Sequence, residues 1–381
     1  MDVVLLGAGS LLNFVSALLV LAVLIFVHEL GHFLVAKWCG VGVVEFAIGF
    51  GKRLWSKRIG ETLYSIRIIP LGGFVRMVGD DPRFSTIDES ELHELSPEER
   101  EILQDKSRWF LTKSYLQRSS IVLAGPMFNF GFAIVLAVAS VAIFGRVDSL
   151  KEPIIGEVIP GFPADRAGLR TGDVVQSVNG VAVTSWQEMA DRIGNSSSAN
   201  ISISLVRDGK VENISVTADS EDTELAAIEG RAPEKRFKVG IVPAVKRTDV
   251  GFSDAIGDGV LQVYHISFMT LRGLWGMVSG VISAKNIGGP ILILQQAAQS
   301  AQRGAQYVFS YMVLLSVSLA ILNLLPIPIL DGGHLLFFTI EAIFRTTLSV
   351  RVIERAQQLG MFILFALMLF AMFNDIGRLV G

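Results

Sequence analysis

The sequence predicts a multi-pass α-helical membrane protein with four transmembrane helices, a membrane-associated β-hairpin on the cytoplasmic side and one extracytoplasmic domain. Of the 381 residues, 51% are hydrophobic and only 18% are charged, and the mean hydropathy is positive, as is typical of membrane proteins. Four long stretches are almost free of charge. Between the second and third, from about residue 150 to 245, the hydropathy falls to that of a soluble domain.

Each of the four apolar stretches reaches about 20 residues, the length that a helix needs to cross a bilayer. They cover residues 1–27, 119–144, 304–330 and 356–374. The first has no basic residue before Lys37, and its apolar run is longer than that of a signal peptide. We therefore expect it to be retained as a membrane helix.

Lysine and arginine residues beside the apolar stretches indicate the orientation. They follow the first stretch, precede the second and lie between the last two: Lys37, Arg118, Arg345, Arg351 and Arg355. Because positive residues collect in cytoplasmic loops, these connections are expected in the cytoplasm. Both termini and the domain at 150–245 are then expected outside.

The connection between the first two spans has two different parts. Residues 41–79 carry β-branched and aromatic residues, with glycines such as Gly49 and Gly51, and predict a β-hairpin. Residues 80–114 begin with a run rich in acid and predict a solvated cytoplasmic loop with a short helix. His93 lies among glutamates there and is not expected to bind a metal.

The soluble segment contains the text "PGFPADRAGLRTGDVVQSVNGVAVTSWQEM", which resembles the PDZ domains of bacterial proteases. The resemblance implies a single domain over 150–245, with short strands around a helix near 186–193. PDZ domains bind extended peptides or protein carboxyl termini by adding a strand to a sheet edge. The alternative is another β-rich domain in which these glycines serve only turns.

The first span contains His28, Glu29 and His32 in the order H-E-x-x-H. Residues four apart lie on one face of a helix, so both imidazoles can hold one metal ion. Zinc binds histidine at about 2 Å, and a catalytic site has three protein ligands and one position open to water. Glu29 is then placed to take a proton from that water as general base.

The position of this motif inside an apolar helix strengthens the metal hypothesis. An ionisable residue at the centre of a membrane helix costs about 2.5 to 3.5 kcal/mol on insertion scales, so three of them within five positions need a partner. Zinc is such a partner. The alternative is that the three residues pair with a neighbouring helix for structure alone.

A third ligand is expected where the third apolar stretch ends in "ILNLLPIPILDGGHLL". Asp331 is the predicted ligand, and His334 is the chemically acceptable second choice. Pro326 and Pro328 prevent a regular helix just before Asp331 because they lack amide hydrogens. Some backbone carbonyls there must therefore accept hydrogen bonds from Asn323, water or a substrate strand. The alternative is a proline kink followed by a helix that Asp331 caps.

Residues 259–284 form another apolar run, which we predict does not cross the membrane. Asp331 can join the histidines only if the span before it runs inward, and a further crossing would place it on the outer face. Arg272 divides the run, and aromatic residues such as Trp275 favour an amphipathic helix at the interface. His265 is therefore interpreted as an interfacial residue.

Together these motifs resemble the site-2 protease family, and in particular its bacterial regulator-of-sigma-E protease branch. The resemblance rests on "HELGH", "AGPMFNF", "NLLPIPILDGG", the "GFG" hairpin and "FNDIGRL", and it covers almost the whole chain. The enterobacterial member of this branch has two tandem PDZ domains, whereas this chain has room for one.

The resemblance implies regulated intramembrane proteolysis in the bacterial cytoplasmic (inner) membrane, with Zn²⁺ on His28, His32 and Asp331 and Glu29 as the base. The implied substrate is a membrane-spanning protein such as an anti-sigma factor that has already been trimmed outside. Asn323 and the Pro326 to Pro328 segment are similar to the substrate-contact region of the family. Because extended peptides can add as a strand to an exposed sheet edge, we also expect the hairpin edge at Gly49 to Gly51 to hold an extended substrate strand.

Other functions fit the sequence less well. No lysine-arginine block is present to neutralise nucleic acid, and the lone Cys39 cannot form an internal disulfide or a thiolate cluster. A catalytically idle PDZ adaptor with structural zinc would not need Glu29. A zinc transporter would need neither that base nor a peptide-binding domain.

The predicted organisation has eight segments. They are the first transmembrane helix (1–40), the β-hairpin region (41–79), the acidic cytoplasmic segment (80–114), the second transmembrane helix (115–145), the PDZ domain (150–245), amphipathic helices on the outer face (250–303), the third transmembrane helix with the LDG motif (304–335), and a loop with the fourth transmembrane helix (336–381).

Overall fold

The computed structural model describes residues 8–80, 104–222 and 235–380. In this part of the chain the helices α1 to α9 are Ala8–Trp38, Tyr115–Phe144, Pro163–Arg166, Trp186–Gly194, Phe252–Val278, Pro290–Arg303, Ala305–Asn323, Asp331–Phe344 and Val350–Val380. The strands β1 to β12 are Val43–Ile59, Thr62–Met77, Arg146–Ser149, Ile155–Val158, Val174–Val178, Val181–Ala182, Asn200–Arg207, Lys210–Thr217, Asp219–Asp222, Lys235–Lys238, Ile241–Pro243 and Val245–Thr248.

The chain forms two compact units. One comprises the described residues of Met1–Ser140, Gly257–Leu271 and Lys285–Gly381, and the other comprises those of Val141–Ile256 and Arg272–Ala284. The first unit holds the long apolar helices and the β1–β2 hairpin. The second holds the short strands β3 to β12.

Four described helices are long and apolar enough to cross a membrane, as the sequence predicts. They are Ala17–Trp38, Tyr115–Phe144, Ala305–Asn323 and Val350–Leu379. Helix α5 (Phe252–Val278) is not among these four, and a second helix, α6 (Pro290–Arg303), follows it. That both lie on the outer side of the membrane stays a prediction.

The third apolar stretch is divided, where the sequence suggested one helical segment over 304–335. Helix α7 ends at Asn323, and α8 begins at Asp331. The intervening residues 324–330 are not helical, because Pro326 and Pro328 lack the amide hydrogen that a helix requires. The predicted break is therefore confirmed, and Asp331 stands in the first turn of a new helix.

The hairpin is more folded than a simple pair of strands. Residues 45–48 of β1 pair on one side with 63–66, and 43–48 pair on the other side with 73–77, while 53–59 pair with the outer side of 62–67. Each strand is therefore bent, and the segments lie in the order 53–59, 62–67, 43–48, 73–77. Gly49, at the bend of β1, has a φ of 88°, a conformation that favours glycine.

A buried carboxylate holds this bent sheet together. Glu45 is 1% exposed and accepts hydrogen bonds from Ser65 (2.7 Å), Arg67 (2.8 Å) and Arg53 (3.1 Å). Burial by itself raises the pKa of Glu45, but the hydrogen bonds from these side chains outweigh it, so the pKa lies below its ordinary value. The charge is thus kept, and it joins the 43–48 segment of β1 to the 62–67 and 53–59 segments on one side of it.

The part of the sheet around Phe46 packs against three helices. Phe33 and Ala36 of α1 share one buried cluster with residues of β1, α2 and α8, including Phe46, Ile121 and Phe338. Because this cluster joins all four elements, the hairpin has a fixed position beside α1 and the start of α8.

Helices α6 and α9 are joined by a helix cap. Asp375 of α9 is 2% exposed and accepts hydrogen bonds from the backbone N–H groups of Gly289 (2.9 Å) and Leu292 (3.1 Å) at the start of α6. A carboxylate at a helix N-terminus satisfies amides that have no partner within the helix. The contact fixes the carboxyl-terminal helix to α6.

The second unit has the strands and helix that the sequence predicts for 150–245. Its main sheet has the order β6-β5-β7-β8, and β4 pairs with β11. Asn179–Gly180 and Asp208–Gly209 have positive φ values, as the tight hairpin turns after β5 and β7 require. Helix α4, with Met189 buried, packs in the same core as Ile201 and Ile203.

A buried ion pair stabilises this unit. The guanidinium of Arg207 donates two hydrogen bonds to Asp173, at 2.8 Å and 2.7 Å, and Asp173 is 1% exposed. Burial raises the pKa of Asp173, but the bonds from Arg207 and from the backbone N–H of Arg170 outweigh this and lower it. The stabilisation is therefore present above the unfolded pKa of about 4 and is lost as the pH falls through the folded pKa.

We predict that Asp173→Asn lowers the free energy of local unfolding of β7 and β8 by about 2 kcal/mol at pH 7, because Arg207 loses its buried anion and keeps only the more exposed Glu212 as a charged partner. The difference from the unmodified chain should shrink as the pH falls below about 4, the unfolded pKa, and should vanish below the lowered pKa of the folded carboxyl. Hydrogen exchange of the amides in β7 and β8, in the full chain in detergent, measures both effects. Asp219→Asn, in an exposed pair with Arg166, is the control and should cost less than about 1 kcal/mol. A difference that persists unchanged at low pH would contradict this origin.

Candidate metal centre

Helix α1 places two histidines side by side in the interior of the first unit. His28 and His32 are each 8% exposed, and their Nε2 atoms are 3.2 Å apart. The spacing of four residues brings the two rings to the same face of the helix, as predicted. Two ring nitrogens so close and so buried are well placed to share one cation.

The break after α7 brings a carboxylate to the same point. Oδ2 of Asp331 lies 3.2 Å from Nε2 of His28 and 3.6 Å from Nε2 of His32. This oxygen is buried but has no well-formed hydrogen bond with any described residue. A buried carboxylate oxygen needs a partner, since leaving it without one is costly.

The three atoms fit a tetrahedral zinc ion. Zinc bonds of about 2.0–2.2 Å at tetrahedral angles place neighbouring ligand atoms about 3.3–3.6 Å apart. The distances between the three atoms are 3.2, 3.2 and 3.6 Å. Two imidazoles and one carboxylate also leave a fourth position free, as catalytic zinc sites require.

Helix α2 contacts the Nδ1 atom of each histidine, the ring nitrogen that does not face Asp331. Nδ1 of His32 is 2.8 Å from the backbone carbonyl oxygen of Ile121, which can only accept a hydrogen bond. A neutral His32 therefore carries its proton on Nδ1, and its Nε2 lone pair is available to a metal. Nδ1 of His28 lies 3.2 Å from the side-chain amide of Asn129, also on α2.

Glycines give these groups the space that they occupy. A Cβ on Gly125 of α2 would lie 2.3 Å from Nε2 of His32, and one on Gly73 of β2 would lie 2.9 Å from Cγ of Glu29. A Cβ on Gly332 would lie 2.3 Å from the carbonyl oxygen of Leu324. Side chains at these positions would push the helices or the 324–330 segment away from the site.

The site opens into a cavity of about 1180 Å³. Its wall includes the three metal-ligand candidates, Glu29, Asn323 and the sheet-edge residues 72–77. Arg118 and Glu341, a partly buried ion pair with a nitrogen-to-oxygen distance of 3.2 Å, also line it. The cavity is large enough for several residues of an extended peptide.

Comparison with known proteins identifies the chemistry. The sequence profile of peptidase family M50 matches residues 16–367. The chain belongs to peptidase family M50, the site-2 protease family.

Relatives in this family extend over the whole chain. A protein of Agrobacterium fabrum, provisionally named a zinc metalloprotease, is 33% identical over 100% of both chains. One of Mesorhizobium japonicum, with the same provisional description, is 35% identical over 97% of this chain and 98% of its own length. The zinc metalloprotease RasP of Geobacillus kaustophilus is 28% identical over 97% of this chain and 99% of its own.

This M50 protein is therefore a zinc metalloprotease with apolar helices suited to a membrane. The predicted zinc cofactor agrees with the names of the relatives and with the buried group of His28, His32 and Asp331. Membership of a protease family disfavours the two other readings of the sequence, the idle adaptor and the zinc transporter.

The remaining predicted residues have different surroundings. The side-chain amide of Asn323 is 3.4 Å from Nε2 of His28, whereas Pro326 is exposed and Pro328 lies against Gly360 of α9. Gly49 and Gly51 flank the bend of β1 and are not among the residues lining the cavity, although Phe50 between them is.

The other histidines and the cysteine stand apart from the described metal group. His334 lines the cavity and packs near Phe337 and Phe338, but it does not belong to the group of three. His265 is exposed beside Tyr264, Cys39 is a free thiol, and His93 lies outside the described residues.

Sequence reasoning missed the contribution of α2 to the site. Ile121, Gly125 and Asn129 are spaced by four residues and so lie on one face of the helix, against the two histidines. Gly125 and Asn129 lie within the family segment "AGPMFNF". Its signal is a small residue followed one turn later by a polar one within an apolar helix.

We predict that Gly125→Ala weakens zinc binding by about tenfold or more, because the new methyl group displaces the imidazole of His32 from its orientation. Competition with a chelator on the purified protein measures the affinity. Gly131→Ala lies on the same helix with no atom within 4 Å of the added Cβ, and it should bind zinc normally. Normal zinc affinity in Gly125→Ala would show that the packing of α2 on the site is not required.

Proposed function

We propose that this M50 protease hydrolyses peptide bonds within or near the transmembrane segments of other membrane proteins. The observation that carries the proposal is the position of the metal group: His28 and His32 belong to a helix apolar enough to span a membrane, and Glu29 lies beside them at the cavity. We further propose regulated intramembrane proteolysis of a single-pass, anti-sigma-factor-like substrate after a first cut outside the membrane.

In the proposed mechanism His28, His32 and Asp331 hold the zinc ion. When bound, zinc acidifies a water molecule and polarises the carbonyl of the scissile bond. Glu29 takes a proton from the attacking water and passes it to the leaving amine nitrogen. Asn323, whose amide lies 3.4 Å from Nε2 of His28, is placed to donate a hydrogen bond to the substrate carbonyl oxygen.

Cleavage requires an unwound substrate, because the peptide bonds of a helix are covered by their own hydrogen bonds. Residues 73–77 lie at an edge of the bent sheet and line the cavity next to Glu29. We therefore propose that an extended substrate pairs with this edge. The bend at Gly49 and Gly51 shapes the sheet that presents it, and the non-helical segment with Pro326 and Pro328 forms another part of the substrate site.

The second unit is proposed to be a PDZ domain outside the membrane that restrains access and does no chemistry. Its "PADRAGL" and "VNG" segments, its order of strands and its helix α4 support this proposal. Peptides or carboxyl termini are its proposed ligands. We also propose that the protein lies in the bacterial cytoplasmic membrane, with both termini outside and the active site toward the cytoplasm.

The chemistry is tested by separating zinc content from turnover. Glu29→Gln should keep about one zinc per chain but lower cleavage of a model transmembrane substrate by about 10²- to 10⁴-fold, because the base is lost and the ligands remain. His28→Ala and Asp331→Ala should lower both. Glu354→Gln, an exposed carboxyl group in the same cavity, is the matched control and should change neither. Loss of zinc in Glu29→Gln would refute the role of Glu29 as a base that does not bind the metal. Retention of zinc in Asp331→Ala, together with its loss in His334→Ala, would refute Asp331 as the third ligand.

Strand pairing is tested by disulfide cross-linking. With Cys39→Ala and Glu29→Gln as background, single cysteines at positions 74 to 77 should cross-link to cysteines near the scissile bond of a bound substrate. Efficiency should alternate every second residue, because neighbouring side chains of a strand point to opposite faces. A cysteine at Trp55, on the opposite edge segment, is the control and should not react. A three- to four-residue period would instead indicate a helical substrate.

The orientation is tested by labelling intact cells. In the Cys39→Ala chain, a cysteine at Ser300 should react with a membrane-impermeant maleimide from outside, because α6 is proposed to lie on the outer face. A cysteine at Ser349, between the last two spans, should react only after the membrane is opened. The reverse pattern would overturn the topology and the choice of Asp331 as a ligand.

A further inference from the structure

Asn129 is a buried polar residue whose purpose is not explained by the fold. It lies in the apolar helix α2 and is 0% exposed. The only described side chain that it contacts through a hydrogen bond is His28, with 3.2 Å between its amide nitrogen and Nδ1. A buried amide in an apolar helix is costly unless its hydrogen bonds are made.

We propose that Asn129 is a positioning residue that holds His28 in the tautomer able to bind zinc, with its amide oxygen accepting the Nδ1 proton. This inference rests on the proposed role of His28 as a zinc ligand. Asn129 itself does not touch the metal or the substrate.

The protonation of His28 decides which end of the amide must face it. Nε2 of His28 points to Nε2 of His32 and to Asp331, so this nitrogen needs a free lone pair in order to bind a metal. The proton of a neutral ring then lies on Nδ1, which must donate. The amide oxygen of Asn129 can accept that proton, and this oxygen is otherwise buried without a described partner. A half-turn of the amide group exchanges its nitrogen and oxygen and makes this bond.

The hydrogen bond that attaches α2 to α7 at this level leaves the side-chain amide of Asn129 to interact with His28. The hydroxyl of Ser316 on α7 donates a hydrogen bond of 2.8 Å to the backbone oxygen of Asn129, so the attachment of α2 to α7 does not use the side chain. One turn earlier, Gly125 leaves room for both imidazoles. Two turns earlier, Ile121 accepts from Nδ1 of His32.

Helix α2 thus serves both histidines in the same way. His32 is oriented by a backbone carbonyl and His28 by a side-chain amide, and each acceptor leaves Nε2 directed at the same point. Partners of this kind raise metal affinity by fixing the ring and its tautomer, typically by 10- to 100-fold.

The test measures zinc affinity by chelator competition in the full chain, together with thermal unfolding to check the fold. Asn129→Leu has a similar volume but no acceptor, and it should weaken zinc binding by about 10- to 100-fold. Asn129→Asp keeps an oxygen acceptor and should restore the affinity to within a few-fold. If the amide instead donated to Nδ1, Asn129→Asp would bind as weakly as Asn129→Leu, and the inference would be wrong.

Two controls separate this inference from the proposed function. Ser316→Ala removes the bond to the backbone of Asn129 and should leave zinc affinity unchanged. His28→Ala should lose zinc. If His28→Ala loses zinc but Asn129→Leu keeps native affinity, the role of Asn129 is refuted and the metal site stands. If His28→Ala keeps zinc, the metal site itself is wrong. Should Asn129→Leu fail to fold, retained affinity in Asn129→Asp supports the inference and lost affinity overturns it.

Discussion

The structure depends on a constraint set by the membrane: His28, Glu29 and His32 lie in an apolar helix and must find compensating partners there. An ionisable group at this depth costs about 2.5 to 3.5 kcal/mol on insertion scales. Asp331 alone supplies a charge but leaves its own oxygen without a well-formed hydrogen bond. A cation bound by His28, His32 and Asp331 removes this conflict, and the other features of the first unit are arranged around that requirement.

The chain meets the requirement by interrupting regular structure at chosen points. Pro326 and Pro328 end one helix so that Asp331 can begin another at the level of the histidines. Gly332 lets the 324–330 segment lie against the start of α8, and Gly125 lets α2 approach α1. Residues 73–77 of the bent sheet line the same cavity as Glu29, so that the proposed base and the proposed edge for a substrate strand lie together.

Much of this arrangement could be predicted from the sequence because its signals are local. The spacing of His28 and His32 follows from helix geometry alone, and a proline pair cannot continue a helix, whatever surrounds it. The charge-free stretches predicted four candidate spans, and the strands near 155, 175 and 203 in the second unit follow turn residues and alternation.

The features that the sequence does not predict depend on contacts between distant segments of the chain. That 43–48 pair on both sides, or that 73–77 form an edge beside Glu29, depends on bends whose direction is set by packing on α1. In the sequence, Asn129 is only a polar residue in an apolar helix. Its contact with His28, 101 residues away in sequence, is visible only in the structure. The prolines predict a break within 304–335, but the apolar composition before them does not show that α7 stops at Asn323.

The central claim is that one zinc ion is held by two residues of α1 and one residue at the start of α8. It is tested most directly by an anomalous difference map collected at the zinc absorption edge from crystals of the unmodified protein. The account predicts one strong peak about 2.0–2.2 Å from Nε2 of His28, Nε2 of His32 and a carboxylate oxygen of Asp331. A peak bound by His334 in place of Asp331, or a fully loaded protein with no peak between α1 and α8, would contradict it.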